Sequence, residues 1–508
     1  MIAPLKLSRS VDNTITLPAS WLRRGPTTPL DDGGVRHGLV PAGPHGLLHA
    51  RLLELIGGAK EVILLASFLI ADEKLAAALD QAHARGVRVY MLNASEQRLR
   101  SCPREDDAFT TMMVHDHKLL LDRLAGRVTL RSAEHFHAKF LVIDPQTPQA
   151  GGLLSTANFN RALHEGVELG VELGADDSQA LAGFFNHAFW GEAEHELVEP
   201  GRLAAVEARP NLPTIPEPRA MVATTRMHQS LRQEVLRLLA AAKEELLVSS
   251  YGLEGEHASV AALIAAAGRG VRVTVLTRPR PAVKQVCETL VAHGIRVVAH
   301  ERLHAKAIWA DGEGLVMTAN LASQGLDAGF EAGIRLRGGQ AAALETTLRN
   351  WCERFPWQFF ARPSLQGEFS EICPADQSTR DGVRQIVEEV VQPMPPITAA
   401  DALAMEGAKE PTLRSEFAGD KRGIPRRIRY EWEVRPPQLP QKARERKREH
   451  AVEKPGKDGT TITTKEKVSY VPPVFDCDGR TYVLLRSDEE RLLARKLATE
   501  LGATVVVR

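Results

Sequence analysis

Cysteine is scarce. Five residues (Cys102, Cys287, Cys352, Cys373 and Cys477) are scattered over 508 positions, with no Cys-x-x-Cys and no close pair. That excludes a disulfide framework and the familiar cysteine-based zinc spacings, and it points to a reducing compartment with small buried thiols. Long apolar runs are also lacking. Met1 to Gly34 holds none, so neither a secretory signal nor a membrane anchor is expected. No later window approaches the roughly 18 consecutive apolar residues of a spanning helix. A cytoplasmic protein without a membrane partner is the expectation. Net charge is absent too, with Lys+Arg and Asp+Glu at 64 each. Overall charge therefore names no partner, and any nucleic-acid surface must come from local clustering.

What is present is an ordinary globular composition, 44% hydrophobic and 25% charged, in a chain long enough for several domains. Residues 1–38, rich in Pro, Gly and Arg, read as a loosely attached lead-in. The chain then repeats itself. Leu48, Leu52, Leu55 and Ile56 form the stripe of an amphipathic helix, and Leu231, Val235, Leu238 and Leu239 form it again at the same spacing. Each stripe runs through Ala-Lys-Glu (Ala59-Lys60-Glu61; Ala242-Lys243-Glu244) into an apolar run that reads as a buried strand. A second helix, ending at Gly86 or Gly270, and a second strand follow in each copy. That alternation predicts parallel strands joined by crossover helices, an α/β sheet covered on both faces. The first copy carries a longer segment, Glu96–Leu130, where the second has Arg278–His300. The modules span 39–212 and 213–362, leaving 363–508 as a C-terminal extension.

Inside that extension, residues 421–448 hold eleven Lys or Arg against three Glu, with Tyr430 and Trp432 embedded. Such a stretch suits phosphates held by arginines and bases stacked on aromatic rings. Residues 454–467 read as a polar loop, and Ser487-Asp488-Glu489-Glu490 as a capping box opening the helix of a terminal β-α-β unit.

The chemistry lies in a repeated polar cluster. His137-Ala138-Lys139 feeds a buried strand ending at Asp144, and His304-Ala305-Lys306 feeds one ending at Asp311. Residues two apart on a strand share a face, so each histidine and lysine project together. Each copy then gives a hydroxyl-x-Asn (Thr156-Ala157-Asn158; Thr318-Ala319-Asn320) and a glutamate (Glu168; Glu331). Histidine can attack, accept or donate a proton near neutral pH, and a carboxylate on its other nitrogen fixes the tautomer. Lys139, Lys306, Asn158, Asn320 and the hydroxyls of Thr156 and Thr318 are the groups expected on an anion. Two such sets face to face suit a phosphodiester: one histidine attacks phosphorus and the other protonates the leaving oxygen. His115, His117 and His135 gather near His137 without a completing ligand set, so solvated or core histidines are the reading and no metal or cofactor is expected.

H-x-K-x4-D twice, each with its asparagine and glutamate downstream, resembles the phospholipase D superfamily over roughly 39–362. The resemblance implies an α/β fold of two tandem sandwich modules packed pseudo-symmetrically, with the extension adding a small α+β element. It makes His137 the nucleophile, His304 the acid, Lys139, Lys306, Asn158 and Asn320 the phosphate binders, and Glu168 and Glu331 the histidine orienters. Asp144 and Asp311, at the far ends of their strands, are expected in a structural interface role. Two departures stand out: Gly-Ser before the x-Asn is Ser155-Thr156 and Met317-Thr318, and the asparagine two residues before the glutamate is Gly166 and Gly329. Three functions follow: a metal-independent nuclease, DNA favoured, working through a phosphohistidine; a phospholipase or phosphatidyltransferase; or a non-catalytic nucleic-acid-binding subunit. The first is compatible with bacterial defence or DNA processing and with protein partners in a multi-component system.

Overall fold

The computed structural model describes residues 4–6, 16–24, 30, 34–42, 46–95, 111–207, 220–363, 371–380 and 382–383, and further on 432–434, 446–455, 461–470, 474–477, 480–483 and 505–507. The chain forms two compact units, 1–390 and 391–508.

The first unit holds both copies of the repeat, each built on a mixed sheet. In the first copy Val62–Ala66, Arg88–Ala94 and Thr129–Ala133 pair in parallel, as the helix–strand alternation predicts. The strand after the His-Lys pair, Phe140–Ile143, runs antiparallel to Val62–Ala66, and Gly151–Ser155, Glu168–Leu173 and Leu39–Ala42 extend the sheet antiparallel beyond it. The second copy repeats this order with Glu245–Ser249 parallel to Arg272–Thr277 and antiparallel to Ala307–Ala310. The parallel pairing expected from the helix–strand alternation therefore holds for the helix-linked strands, and the strands after them are antiparallel because short links such as Asp144–Ala150 can only turn a chain back on itself.

The predicted helices are Leu47–Gly58 and Ser230–Ala241, with Leu48, Leu52, Ile56 and Leu231, Val235, Leu238, Leu239 buried. They cover the outer faces of the sheets together with Glu73–Ala84 and Ala258–Gly268, and Gly86 and Gly270 take the left-handed φ of 91° and 89° that closes those turns. In the longer segment of the first copy, helix Thr111–Leu124 stands where the second has Lys284–Ala292. The inner faces meet each other. Helix Ala175–His187 touches strands of its own sheet and Met221–Thr224 of the other, and Gly339–Arg354 touches its own sheet and Leu39–Ala42. One continuous core results, joining Phe140, Leu154 and Phe184 of the first copy to Trp309, Val316 and Trp351 of the second.

The lead-in is not a loose tail. Ser20–Arg23 lies between Trp357–Phe360 and Glu371–Pro374 in the second copy's sheet, with Trp21 buried and its ring 5.0 Å from Phe359. Glu371–Pro374 belongs to the same sheet, so the second module runs past 363. Cys287, Cys352 and Cys373 are free and buried. Among the described residues no helix is long and apolar enough to cross a membrane.

The second unit contains a four-stranded sheet in the order Val474–Cys477, Arg480–Val483, Trp432–Val434, Val505–Val507. The expected terminal β-α-β is thus split, because Trp432–Val434 lies between its two strands and runs antiparallel to both. Of residues 454–467, expected as a loop, the described ones (454–455 and 461–467) are strand. Arg446–Pro455 and Thr461–Tyr470 form a long antiparallel pair, from Arg446↔Tyr470 to Pro455↔Thr461. The β-branched run Thr461-Ile462-Thr463-Thr464 favours strand despite its polarity. The rest of 421–448, the capping box at 487–490 and the helix after it lie outside the described residues.

Candidate active site

Two short parallel bridges, Phe136↔Phe330 and Val167↔Leu303, stitch the copies together at their junction. His137 N–H donates to Phe330 O at 3.1 Å and Phe330 N–H to His135 O at 3.0 Å, while Val167 O accepts from both His304 and Ala305. The segment before each histidine is therefore docked on the segment before the other copy's glutamate. The side chains follow: His137 Nδ1 lies 2.7 Å from Glu331 Oε1, and His304 Nδ1 lies 2.7 Å from Glu168 Oε1. Each module orients its partner's histidine. Neither module can hold its own histidine in this way, because Glu168 and Glu331 each face across the junction.

Thr156 and Thr318 stand elsewhere than the sequence suggests. Both are fully buried, and their hydroxyls donate to Glu168 Oε2 and Glu331 Oε2. A hydroxyl has one proton to give, so these two hold the glutamates instead of an anion. Lys139 and Lys306 are buried beneath the histidines, each ammonium donating to the carbonyl of the histidine two residues back. Lys139 Nζ is 3.0 and 3.1 Å from the two ring nitrogens of His137. A donor almost equidistant from both lies off the axis of either lone pair, so it supplies charge without capping Nε2. Phe68 and Tyr251 meet His137 and His304 edge to face, each with ring centroids 5.0 Å apart.

Above these groups opens a cleft of about 480 Å³ lined by both copies, including His137, Asn158, His304, Asn320 and Glu331. Asn320 Oδ1 accepts from Gly252 N–H at 3.2 Å, which fixes that amide. Gly166 and Gly329 are explained by crowding. A Cβ at either would come within 2.8 Å of Ala162 O or 2.6 Å of Gln324 O, so an asparagine cannot occupy this backbone path. Asp144 and Asp311 lie away from the cleft and act inside their own modules, not at the interface between them. Asp144 accepts from the N–H groups of Lys60, Glu61 and Val62, and Asp311 from those of Lys243, Glu244 and Glu245. The repeated Ala-Lys-Glu turn thus supplies backbone donors.

Sequence reasoning missed Phe68, Tyr251 and Arg280 and read His135 only as a solvated or core histidine; all four are on the cleft wall. Phe68 and Tyr251 occupy matching positions after their first strands, a signal open to alignment of the two copies. Arg280 carried none; its guanidinium stacks 3.7 Å over the Tyr251 ring. Of the other histidines, His117 is buried against Ile70, and His228 is exposed ahead of a helix whose cap is Gln229.

Burial is the largest influence on His137 and pulls its imidazole down to about 4, against Glu331 and with the help of Lys139 and Lys306. It is therefore neutral at pH 7. Burial would raise Glu331, but His137, Lys139 and the Thr318 hydroxyl outweigh it and hold the carboxyl low. Glu168 is held low in the same way by His304, Lys306 and Thr156. Two imidazoles line one cleft, with two buried carboxylates and two buried ammonium groups packed against them, an arrangement able to exchange a phosphoryl group between oxygen and nitrogen.

The model of one family, described as "Cardiolipin synthase, PLD-like domain", matches residues 52–187 and 235–351. No curated protein matches the chain. Among solved structures, phosphatidylserine synthase from Haemophilus influenzae Rd KW20 is similar at 13% identity and a TM-score of 0.50, over 76% of this chain and 96% of that one. Polyphosphate kinase from Porphyromonas gingivalis is similar at 14% identity and a TM-score of 0.39, over 61% and 49% of the two chains. The phospholipase D family member Nuc from Salmonella typhimurium is similar at 17% identity and a TM-score of 0.23, over 29% and 90%. With both copies matched and the two His-Lys clusters meeting in one cleft, the chain belongs to the phospholipase D superfamily as a tandem of two modules, and its chemistry is that of phosphodiesters.

Proposed function

We propose that the protein is a metal-independent phosphodiesterase that cuts nucleic acid, DNA by preference, through a covalent phosphohistidine. The observation that carries the reaction is the crossed pair of histidine–carboxylate contacts at 2.7 Å in a single cleft. Glu331 takes the Nδ1 proton of His137 as a hydrogen bond and leaves the Nε2 lone pair free to attack phosphorus. As the N–P bond forms and the P–O bond breaks, His304 gives its Nε2 proton to the departing oxygen. A water then loses its proton to His304 and displaces His137 from phosphorus, restoring both histidines. Lys139, Lys306, Asn158 and Asn320 surround the charge that builds on the other phosphoryl oxygens.

The choice of nucleic acid rests on the basic, aromatic-bearing stretch 421–448. A second reading, phosphatidyl transfer, is favoured by the cardiolipin-synthase description of the matching family. The test uses excess chelator, labelled single- and double-stranded DNA, RNA and phosphatidylglycerol vesicles, with native protein beside His137→Ala and His304→Ala. DNA cleavage lost in both variants is the expected result. Lipid turnover without DNA cleavage would establish the second reading, and binding without turnover a non-catalytic subunit.

A further inference from the structure

Behind the first module's half of the cleft, three side chains from separate elements converge. His49 comes from helix Leu47–Gly58, Asp72 caps helix Glu73–Ala84, and His164 sits in the short helix Ala162–Glu165, between Asn158 and Glu168. His49 Nε2 lies 3.1 Å from Asp72 Oδ1, and His164 Nε2 lies 3.3 Å from Asp72 Oδ2. One donor atom from each residue fits within 4.8 Å of the others, and among the described residues no other three His, Cys, Asp or Glu side chains do so.

The second module has the same three corners with different chemistry. Arg232 follows Leu231 as His49 follows Leu48, Asp327 stands four residues before Glu331 as His164 does before Glu168, and His257 caps the second helix as Asp72 does. There Arg232 and Asp327 form an ion pair at 2.7 Å with His257 at 3.5 Å, so the carboxylate already faces a fixed cation. In the first module the fixed cation is gone, and two imidazoles and one carboxylate remain.

We propose that His49, Asp72 and His164 bind a divalent transition-metal ion of the zinc class, at a site separate from the candidate catalytic cleft. The two oxygens of the Asp72 carboxylate face one imidazole nitrogen each, at 3.1 and 3.3 Å, and one donor from each residue lies within 4.8 Å of the others, a set of the kind that binds zinc at about 2.0–2.2 Å. Two histidines and a carboxylate with one position open to water are a set this ion accepts. The opening lies on the His164 side, since that side chain is 39% exposed while His49 and Asp72 are 6% and 10% exposed. Leu75 N–H donates to Asp72 Oδ1 at 2.9 Å and orients the carboxylate, as outer partners of metal ligands do. Binding requires both imidazoles to present an unprotonated Nε2 to the ion. The ion would tie the loop bearing Asn158 to the two outer helices, and it departs from the sequence expectation of no metal.

The test strips full-length protein with chelator, dialyses it and titrates Co²⁺ and Zn²⁺ into native protein, His164→Ala and Asp72→Asn. Asparagine keeps the helix cap, which guards against a folding defect. The expected result is one equivalent of Co²⁺ with the visible bands of four- or five-coordination, affinity at least about 10-fold weaker in both variants, and a Zn²⁺-dependent rise in Tm seen in native protein alone. Absence of uptake, or uptake at native affinity in either variant, would overturn the proposal. The latter would put the metal elsewhere, for instance on His137 and His304.

Discussion

At the residue scale, the crossed glutamates make the two histidines separable by experiment. Glu331→Gln acts on His137 and Glu168→Gln on His304, though each glutamate follows the other histidine in sequence. Loss of a carboxylate that orients a catalytic imidazole costs on the order of 10²–10⁴-fold in turnover. With an aryl diester, whose phenolate leaves without acid help, Glu168→Gln should keep its burst of phenolate and lose only the later turnovers. Glu331→Gln should lose the burst itself. Stopped-flow absorbance reads both, and the reverse pattern would mean that each glutamate serves its own module. The pH profile gives a second check. Burial pulls the His137 imidazole down to about 4, and in the proposed reaction protonation removes its attacking lone pair. Activity should therefore hold as pH falls below 6 and drop through about 4; an acid limb near the ordinary histidine value of about 6.5 would contradict a buried, neutral nucleophile.

At the element scale, the aspartates at the ends of the His-Lys strands work through backbone. Asp144 and Asp311 both have φ of 46° and each gathers backbone N–H groups from the turn before its module's first strand. Asp144→Ala strands three donors and keeps an unfavourable backbone conformation, a loss of about 2–4 kcal/mol in a urea melt. A change under ~0.5 kcal/mol would show that water replaces the carboxylate at no cost. Trp21 tests the added strand. Removing a buried tryptophan costs about 3–5 kcal/mol, so Trp21→Ala should unfold well before native protein, whereas a loose lead-in would leave the midpoint unchanged. Sequence patterns fell short here for a physical reason. Ser20–Arg23 pairs with residues more than 300 positions away, and the prolines around it mark turns as readily as strand edges. The pairing of Arg446–Pro455 with Thr461–Tyr470 was hidden likewise, since residues 454–467 read as a polar loop although the pairing runs ten residues deep. The helix stripes and the first strands were legible because each buries a periodic apolar face within one local stretch.

At the scale of the whole molecule, duplication made the candidate catalytic residues visible and concealed their partnership. His137, Lys139, Asn158 and Glu168 recur as His304, Lys306, Asn320 and Glu331, and chemistry alone suggests their grouping. Spacing along the chain cannot reveal that the glutamates are exchanged, because this depends on the bridges Phe136↔Phe330 and Val167↔Leu303. Nor can it reveal that the threonines face inward, since a hydroxyl on an anion and one on a carboxylate leave the same pattern. Both modules are needed to complete either histidine, which accounts for the shared core beneath the cleft. The most direct measurement is mass spectrometry of His304→Ala after incubation, in chelator, with the p-nitrophenyl ester of thymidine 5′-phosphate. Without His304 the activated ester can still be attacked, but no base remains to drive hydrolysis. The expected result is one thymidine-phosphoryl group on His137, absent from His137→Ala; release of p-nitrophenol with no adduct, or only when a metal is added, would contradict a two-histidine reaction.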